Sequence, residues 1–304
     1  MVVEKPFTVN TAEADRVIAI AKQSGKILTV FQSKPIPSIL ETRKVAPPPP
    51  SFSSWLITKF NFSDRRYDSD FHTLHHLVQQ SALGAITECE IHYDVHFPSW
   101  MSSWKSPDWS PGQGMMFGLG SHTIDQALLL FGRPASVTGF YGSLRGVDSK
   151  TDDTFTIILQ YSQKNLLVTV KTSVVATIQF PLKFFVRGYD GSFIKYGDDK
   201  QESQIAAGYT TVTPGFGVEP EATYGLLTTK TRVHESQVLD AATGWWVGKF
   251  PSLKGDYAQF YRDLVKAIRG EGELAIRPEQ AREGIRVILL ARESAEKGCT
   301  LPFD

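Results

Sequence analysis

The sequence has little cysteine, no excess of either charge and no long apolar run, and each shortage removes a class of protein. Cys89 and Cys299 are the two cysteines in 304 residues. A lone bridge between them is one reading; two free thiols in a reducing compartment is the reading taken here. Lys and Arg number 32, as do Asp and Glu, so the formal net charge is zero. No basic field therefore points to nucleic acid, and no polybasic patch points to a membrane surface. No apolar run approaches the ~20 residues of a membrane span, and the start lacks the pattern of a signal peptide. A P-loop and a GxGxxG dinucleotide fingerprint are missing too. What is left is a soluble, cytoplasmic protein with room for about two domains.

The chain nonetheless carries clear structural punctuation. Met1-Val2-Val3 reads as the end of a buried strand, and Glu4-Lys5-Pro6 as a tight loop after it. Residues 10–24 have the period of an amphipathic helix, with Asn10 as N-cap, Glu13 completing a capping box and Gly25 after the end. Residues 26–31 then read as a short parallel strand. Together these make one α/β unit over 1–32. Residues 33–64 hold six of the 17 prolines, four of them consecutive, and sustain no period of 2 or 3.6. They read as a disordered insertion in preference to a docking segment for a proline-recognising module.

Regular pattern resumes at 65–304. Residues 68–84 predict a helix with Phe71, Leu74, Leu77 and Val78 on one face and Gly84 past its end. Residues 85–97 alternate: Cys89, Ile91, Tyr93, Val95 and Phe97 face inward, and Glu88, Glu90, His92, Asp94 and His96 face outward. Further strands are expected at 135–142, 153–161, 165–173 and 182–188, with Asp190-Gly191 as a hairpin turn. A helix capped by Asp256 should bury Tyr257, Phe260, Tyr261, Leu264 and Ile268, and a last helix should run over 278–297. The expected architecture is an incomplete Rossmann-type α/β unit followed by an α+β domain on a large, open, mostly antiparallel sheet.

Two clusters can carry chemistry. Lys5 stands at the carboxyl end of a parallel strand, where open α/β sheets bind ligands. It is either a solvated lysine or a donor to a substrate oxygen. The second cluster is "GQGMMFGLGSHTIDQALLLFG", 112–132, in which His122 and Asp125 share a helical face. His122 is either a core or capping histidine or a general acid–base, with Asp125 orienting it. Trp100, Trp104 and Trp109 lie in a polar loop that either covers a pocket, lines a subunit contact or simply packs. His72, His75, His76, His92 and His96 read as solvated faces, and no metal site is expected.

Taken together, "VVEKPFTVNTAEADRVIAIAKQSGKILTVFQ", "GSHTIDQALLLFG", "DDTFTIILQY", "GYDGSFIKYG" and "DYAQFYRDLVKAI" resemble the Gfo/Idh/MocA oxidoreductases along nearly all of the chain except 33–64. The resemblance implies hydride transfer between NAD or NADP and a small, sugar-like hydroxyl or carbonyl substrate. It implies Lys5 and His122 as catalytic residues, a cofactor against Glu4, Lys5, Pro6 and Gln32, and Asp125 and Trp104 near the substrate. It also implies a homodimer or tetramer through the open sheet. Three departures stand out. Gly118 occupies the place of a family aspartate, the opening strand–GxGxxG–helix is absent, and 33–64 interrupts a direct connection. They raise two expectations: that the chain is an N-terminally truncated, fungal-type member, and, as the alternative to an enzyme, that it is a non-catalytic or degenerate relative with a regulatory, binding or no role.

Overall fold

A computed structural model describes residues 1–31, 65–104 and 108–304. The chain opens with a β–α–β unit. Strand β1 (Val2–Glu4) pairs in parallel with β2 (Thr29–Phe31), and α1 (Thr11–Ser24) makes the crossover. Asn10 accepts the Glu13 amide at 2.9 Å and caps the helix. The return bond of the expected capping box instead runs from the Val9 amide to the Glu13 carboxylate, at 3.4 Å. Strand β2 is shorter than the 26–31 expected. The Lys26 amide turns back to the Ala21 carbonyl at 3.1 Å, so these residues finish the helix and β2 starts at Thr29. Gln32 and the Pro-rich 33–64 lie outside the described residues.

The remainder builds an open sheet from β3 (Ile86–His92), β4 (Ser136–Gly142), β5 (Thr154–Tyr161), β6 (Leu166–Ser173), β7 (Leu182–Gly188), β8 (Gly191–Tyr196), β9 (Gly225–Thr229), β10 (Val238–Asp240), β11 (Trp245–Phe250) and β12 (Leu301–Pro302). The spatial order is β10-β11-β9-β8-β7-β3-β6-β5-β4-β12. Among the described residues β3–β6 is its one parallel pair, and the others are antiparallel. Period-2 alternation decides which face is covered. On β5, Phe155, Ile157, Leu159 and Tyr161 are buried, while the residues between them are not. Helices α2 (Ser69–Gln79), α3 (Ser121–Phe131) and α6 (Pro278–Lys297) pack on that side. Helix α6 approaches so closely that a Cβ on Gly139 of β4 would lie 2.1 Å from the Ala291 carbonyl oxygen, which leaves room for glycine alone. Helix α1 packs on the outside of α6, with Phe7, Ala14, Ile18, Leu28, Val30 and Ala281 between them. Two further helices, α4 (Gln201–Ala206) and α5 (Gln259–Arg269), border the Arg65–Tyr67 turn and the far strands.

Several boundaries differ from the sequence reading. Helix α2 stops at Gln79, and a turn separates it from Gly84. Strand β3 ends at His92; beyond it only a bridge between His96 and Val175 continues the pairing, and Phe97, at φ 34°, is 49% exposed. His92 is buried between carboxylates, 2.8 Å from Glu90, instead of solvated. The β7–β8 connection turns at Tyr189-Asp190, and Gly191 already pairs with Thr229. Helix α5 begins at Gln259, after a turn in which the Gln259 amide bonds the Asp256 carbonyl at 2.9 Å. Its expected inward Ile268 is 64% exposed. Strands β9, β10 and β11 had no forecast.

One buried ion pair ties the layers together. Arg66 grips Asp125 of α3 through two bonds, Nε to Oδ2 and Nη2 to Oδ1, both 2.6 Å. Its Nη1 reaches the Ala275 carbonyl at 3.1 Å and Gln280 at 3.3 Å, at the entry to α6. One guanidinium thus joins the segment before α2 to two helices, in the bidentate geometry that suits arginine.

Removing one member of such a pair strands the other charge. Asp125→Ala should lower unfolding stability by about 3–5 kcal/mol, measured by chemical denaturation. A second expectation concerns pH. Burial against Phe71, whose ring stacks on His75 at 6.0 Å, lowers the pKa of His75, and the nearby charges of His72, Arg66 and His76 push the same way. A histidine whose folded pKa is depressed takes up its proton more readily in the unfolded chain. Stability is therefore full above about pH 6.5 and falls as the pH drops through that value. His75→Gln should flatten the decline of the melting temperature between about pH 7 and pH 5.

Candidate active site

The site is built where β1 ends. Lys5 follows the last residue of β1 and is joined to Pro6 by a cis peptide bond. Phe7 then drops into the core beneath α1. This arrangement aims the Lys5 side chain away from the β–α–β unit and across to the glycine-rich segment. There Lys5 Nζ donates to the Gly118 carbonyl at 2.7 Å. The same carbonyl accepts the Ser121 hydroxyl at 3.1 Å.

The glycine-rich segment holds its shape because of Asp152. Its backbone carbonyl accepts the Met115 amide at 2.9 Å, and its Oδ2 accepts the Met116 amide at 2.9 Å. Gly114 lies directly against that carboxylate at φ 97°, and a Cβ there would fall 2.1 Å from Asp152 Oδ1. Only glycine satisfies both the backbone angle and the close approach. Arg292 of α6 donates to Asp152 Oδ1 at 2.6 Å, with its guanidinium carbon 4.0 Å from the Trp109 ring centre and 4.3 Å from that of Tyr141. Burial pushes the Asp152 carboxyl up, against the pull of the Met116 amide and Arg292. From this anchor one wide π turn, Met116–Gly120, leads into α3. Such turns often mark functional sites.

Lys5 and Pro6 on one side, and Gln113, Phe117 and Gly118 on the other, enclose a cavity of about 260 Å³, with Trp104 and Thr151 completing its wall. Small-ligand sites usually span about 300–1,000 Å³, so the space suits a small molecule or one end of a larger one. The sequence-derived residues separate here. Lys5, Pro6 and Trp104 meet at the cavity. Glu4 stays largely exposed, its carboxyl pushed up by partial burial and drawn down by Lys5. Asp125 commits both oxygens to Arg66, so its orienting action falls on that arginine. His122 is 2% exposed, four residues beyond Gly118 on α3, and is not part of the described cavity wall. Gln113, Phe117, Thr151 and the anchors Asp152 and Arg292 escaped the sequence reading. The adjacent acids of "TDDTF" just ahead of a strand were the available signal for Asp152.

Another hollow, of about 200 Å³, lies by the β7–β8 turn. Its cations are already matched, Arg187 with Glu88 and Lys230 with Asp190. Among the described residues no group of His, Cys, Asp and Glu is arranged to hold a metal ion, and no helix is long and apolar enough to cross a membrane.

Comparison with known proteins agrees with this layout. The family model for the GFO/IDH/MocA C-terminal domain matches residues 71–194. The uncharacterized oxidoreductase C115.03 of Schizosaccharomyces pombe is 29% identical over 99% of this chain and 74% of its own length. The scyllo-inositol 2-dehydrogenase (NADP(+)) IolW of Bacillus subtilis is 28% identical over 100% of this chain and 72% of its own. The solved structure of yvaA from Bacillus subtilis superimposes with a TM-score of 0.79 at 27% identity, covering 100% of this chain and 73% of that one. Residues 71–194 match the GFO/IDH/MocA C-terminal domain, and along nearly all of its length the chain is similar to oxidoreductases and shares the fold of their solved structures.

Proposed function

We propose that the chain binds a small polyhydroxylated substrate in the Lys5 cavity and carries the proton-transfer part of its oxidation to a carbonyl, with NADP or NAD as hydride partner. The observation that carries this reading is the Lys5 ammonium held at the wall of a small cavity by the Gly118 carbonyl. The relative IolW, an NADP-dependent scyllo-inositol 2-dehydrogenase by name, supports a polyol-type substrate and NADP.

The residues present fit the reacting end of a nicotinamide cofactor. Glu4, Lys5 and Pro6 stand at the carboxyl end of a parallel strand pair, beside the cavity. The sequence contains no GxGxxG turn to hold the pyrophosphate, so this fit covers one end of the dinucleotide. When bound, the nicotinamide would supply the acceptor for the hydride that leaves the substrate carbon.

The chain's own residues handle the proton. Oxidation of an alcohol releases a hydride from carbon and a proton from oxygen, and the proton needs a group within hydrogen-bond reach. Lys5 Nζ is placed to bond the reacting oxygen and to stabilise negative charge as it develops there. His122, on the helix that continues from Gly118, would take that proton; it lies outside the cavity wall, so the proton would reach it through an intervening hydroxyl or water. The Trp104 ring offers a flat apolar wall to the C–H face of a sugar-like ring, and Gln113 and Thr151 offer hydrogen bonds to hydroxyls. Gly118, which brings no carboxylate, favours a second reading in which the cavity binds its ligand without turning it over.

We also infer self-association through the uncovered face of the sheet. Phe140, Leu167 and Leu226 point outward there, 58%, 42% and 42% exposed. Sedimentation should show a dimer or larger, and Phe140→Glu with Leu226→Glu should shift it towards monomer.

Calorimetry with NADPH and NADH tests the main reading, which expects micromolar binding of at least one. Lys5→Met should then lower kcat about 100-fold or more, the usual size of an acid–base contribution. His122→Asn should do the same and remove one limb of the pH profile. A folded chain that binds neither cofactor leaves the binding-only reading.

A further inference from the structure

We infer that Arg145 is a positioning residue: it holds the Trp104 ring in the wall of the cavity, and through that ring it favours a cyclic polyol over an open-chain one. The selection of ligand rests on the reading above that the cavity is the substrate site. Arg145 is not among the described wall residues, so it acts through Trp104. Its side chain is 7% exposed, although it lies in the connection after β4 between exposed Leu144 and Gly146. Charged side chains are seldom buried unless paired. The pairing here is with Asp153, at 3.2 Å.

Asp153 supplies the fixed point. It is the second of the adjacent acids ahead of β5 and is fully buried. Its carboxylate accepts the Leu144 amide at 2.8 Å, the Arg145 amide at 3.2 Å, the Ser143 hydroxyl at 3.2 Å and the Thr154 hydroxyl at 3.0 Å. Residues 143–145 are thus wrapped round one buried charge, and the guanidinium leaves it in a set direction. Nη1 stays on Asp153, and Nη2 donates to the Trp104 carbonyl at 3.4 Å. The guanidinium carbon lies 5.9 Å from the Trp104 ring centre, within cation–π reach. One planar fork therefore engages Trp104 at backbone and ring together, which the point charge of a lysine cannot copy. The Trp100 ring, 5.4 Å away, adds a further contact to Trp104.

The neighbouring acid serves the other tryptophan in the same way. Asp152 pairs with Arg292, whose guanidinium carbon lies 4.0 Å from the Trp109 ring centre. Two consecutive carboxylates thus send two arginines to two tryptophans, and of these Trp104 is in the described wall. A flat ring held still matches the C–H face of a cyclic polyol, and an open chain presents no such face. A wall ordered before binding spares the ligand the cost of ordering it.

The test compares scyllo-inositol with D-glucitol, which carry the same number of carbons and hydroxyls but differ in ring closure. Each is titrated into the full chain by calorimetry. Trp104 is followed by fluorine NMR of fluorotryptophan-labelled protein, its signal assigned as the one missing from Trp104→Leu. Scyllo-inositol should bind about 10-fold more tightly than glucitol, the scale set by ordering one large side chain, and Arg145→Lys should erase that margin. Because lysine keeps the pair with Asp153, Arg145→Lys should melt close to the unsubstituted chain while its Trp104 signal shifts and broadens. Trp104→Leu should erase the margin without touching Asp153, and circular dichroism confirms that both variants fold. An unmoved Trp104 signal in Arg145→Lys, a margin that survives either substitution, or equal affinities in the unsubstituted chain would each overturn the inference. A signal that moves although neither probe binds sustains Arg145 as the residue that sets Trp104 and removes the substrate reading of the cavity. Probes that bind with the same margin in Arg145→Lys do the reverse.

Discussion

The contact between Arg66 and Asp125 is the constraint on which the rest of the structure depends. Three elements remote in sequence meet at one guanidinium: the turn before α2, the middle of α3 and the start of α6. Helix α3 continues from the π turn that lines the cavity, and α6 carries Arg292, which secures Asp152 and through it the glycine turn. Two buried ion pairs therefore hold the two ends of one short stretch, Gly114 to Asp125. Buried pairs of this kind often add little net stability over an apolar filling, but they fix geometry strongly because a misplaced partner is left desolvated. Here the geometry they fix is the carbonyl that receives Lys5.

The cavity itself is economical. It draws its wall from chain segments that are otherwise structural: the end of a strand, a tryptophan loop, a π turn and the segment leading into β5. Specificity can then vary through Gln113, Phe117, Gly118 and Thr151 without disturbing the anchors behind them.

Much of the fold was legible in the sequence. Strands β4, β5, β6 and β7 and helices α1 and α6 follow the apolar periods closely, because each buries one continuous face. What was missed has a physical cause in each case. Strands β9 to β11 are short and rich in Gly, Thr and exposed apolar residues, so their alternation is weak. Helix α5 looked longer because Tyr257 is buried, yet Tyr257 lies in the turn ahead of the helix, bonded to Asp68 and Gln201 and packed with Phe31, Tyr67 and Phe260. His92 looked solvated because alternation put it on the open face, where the flanking acids enclose it. The site was half visible. Lys5 and the glycine-rich run stood out as local patterns. The Arg66–Asp125 and Asp152–Arg292 pairs did not, since the partners are separated by long stretches of chain and no local period reports them.

The placement of β3 has a consequence for how the molecule comes into being. This strand occupies the middle of the sheet, between β6 and β7, both of which follow β4 and β5 in the chain. During synthesis the central strand must wait, unpaired, until its neighbours have been made. Local hairpins such as β4–β5 and β7–β8 can close early, but the sheet becomes one piece only when β3 slots between them. Pairings so distant in sequence carry a large loop-closure cost and slow assembly. The Cys89, Ile91 and Tyr93 face of that waiting strand is the part of the newborn chain with most need of shelter.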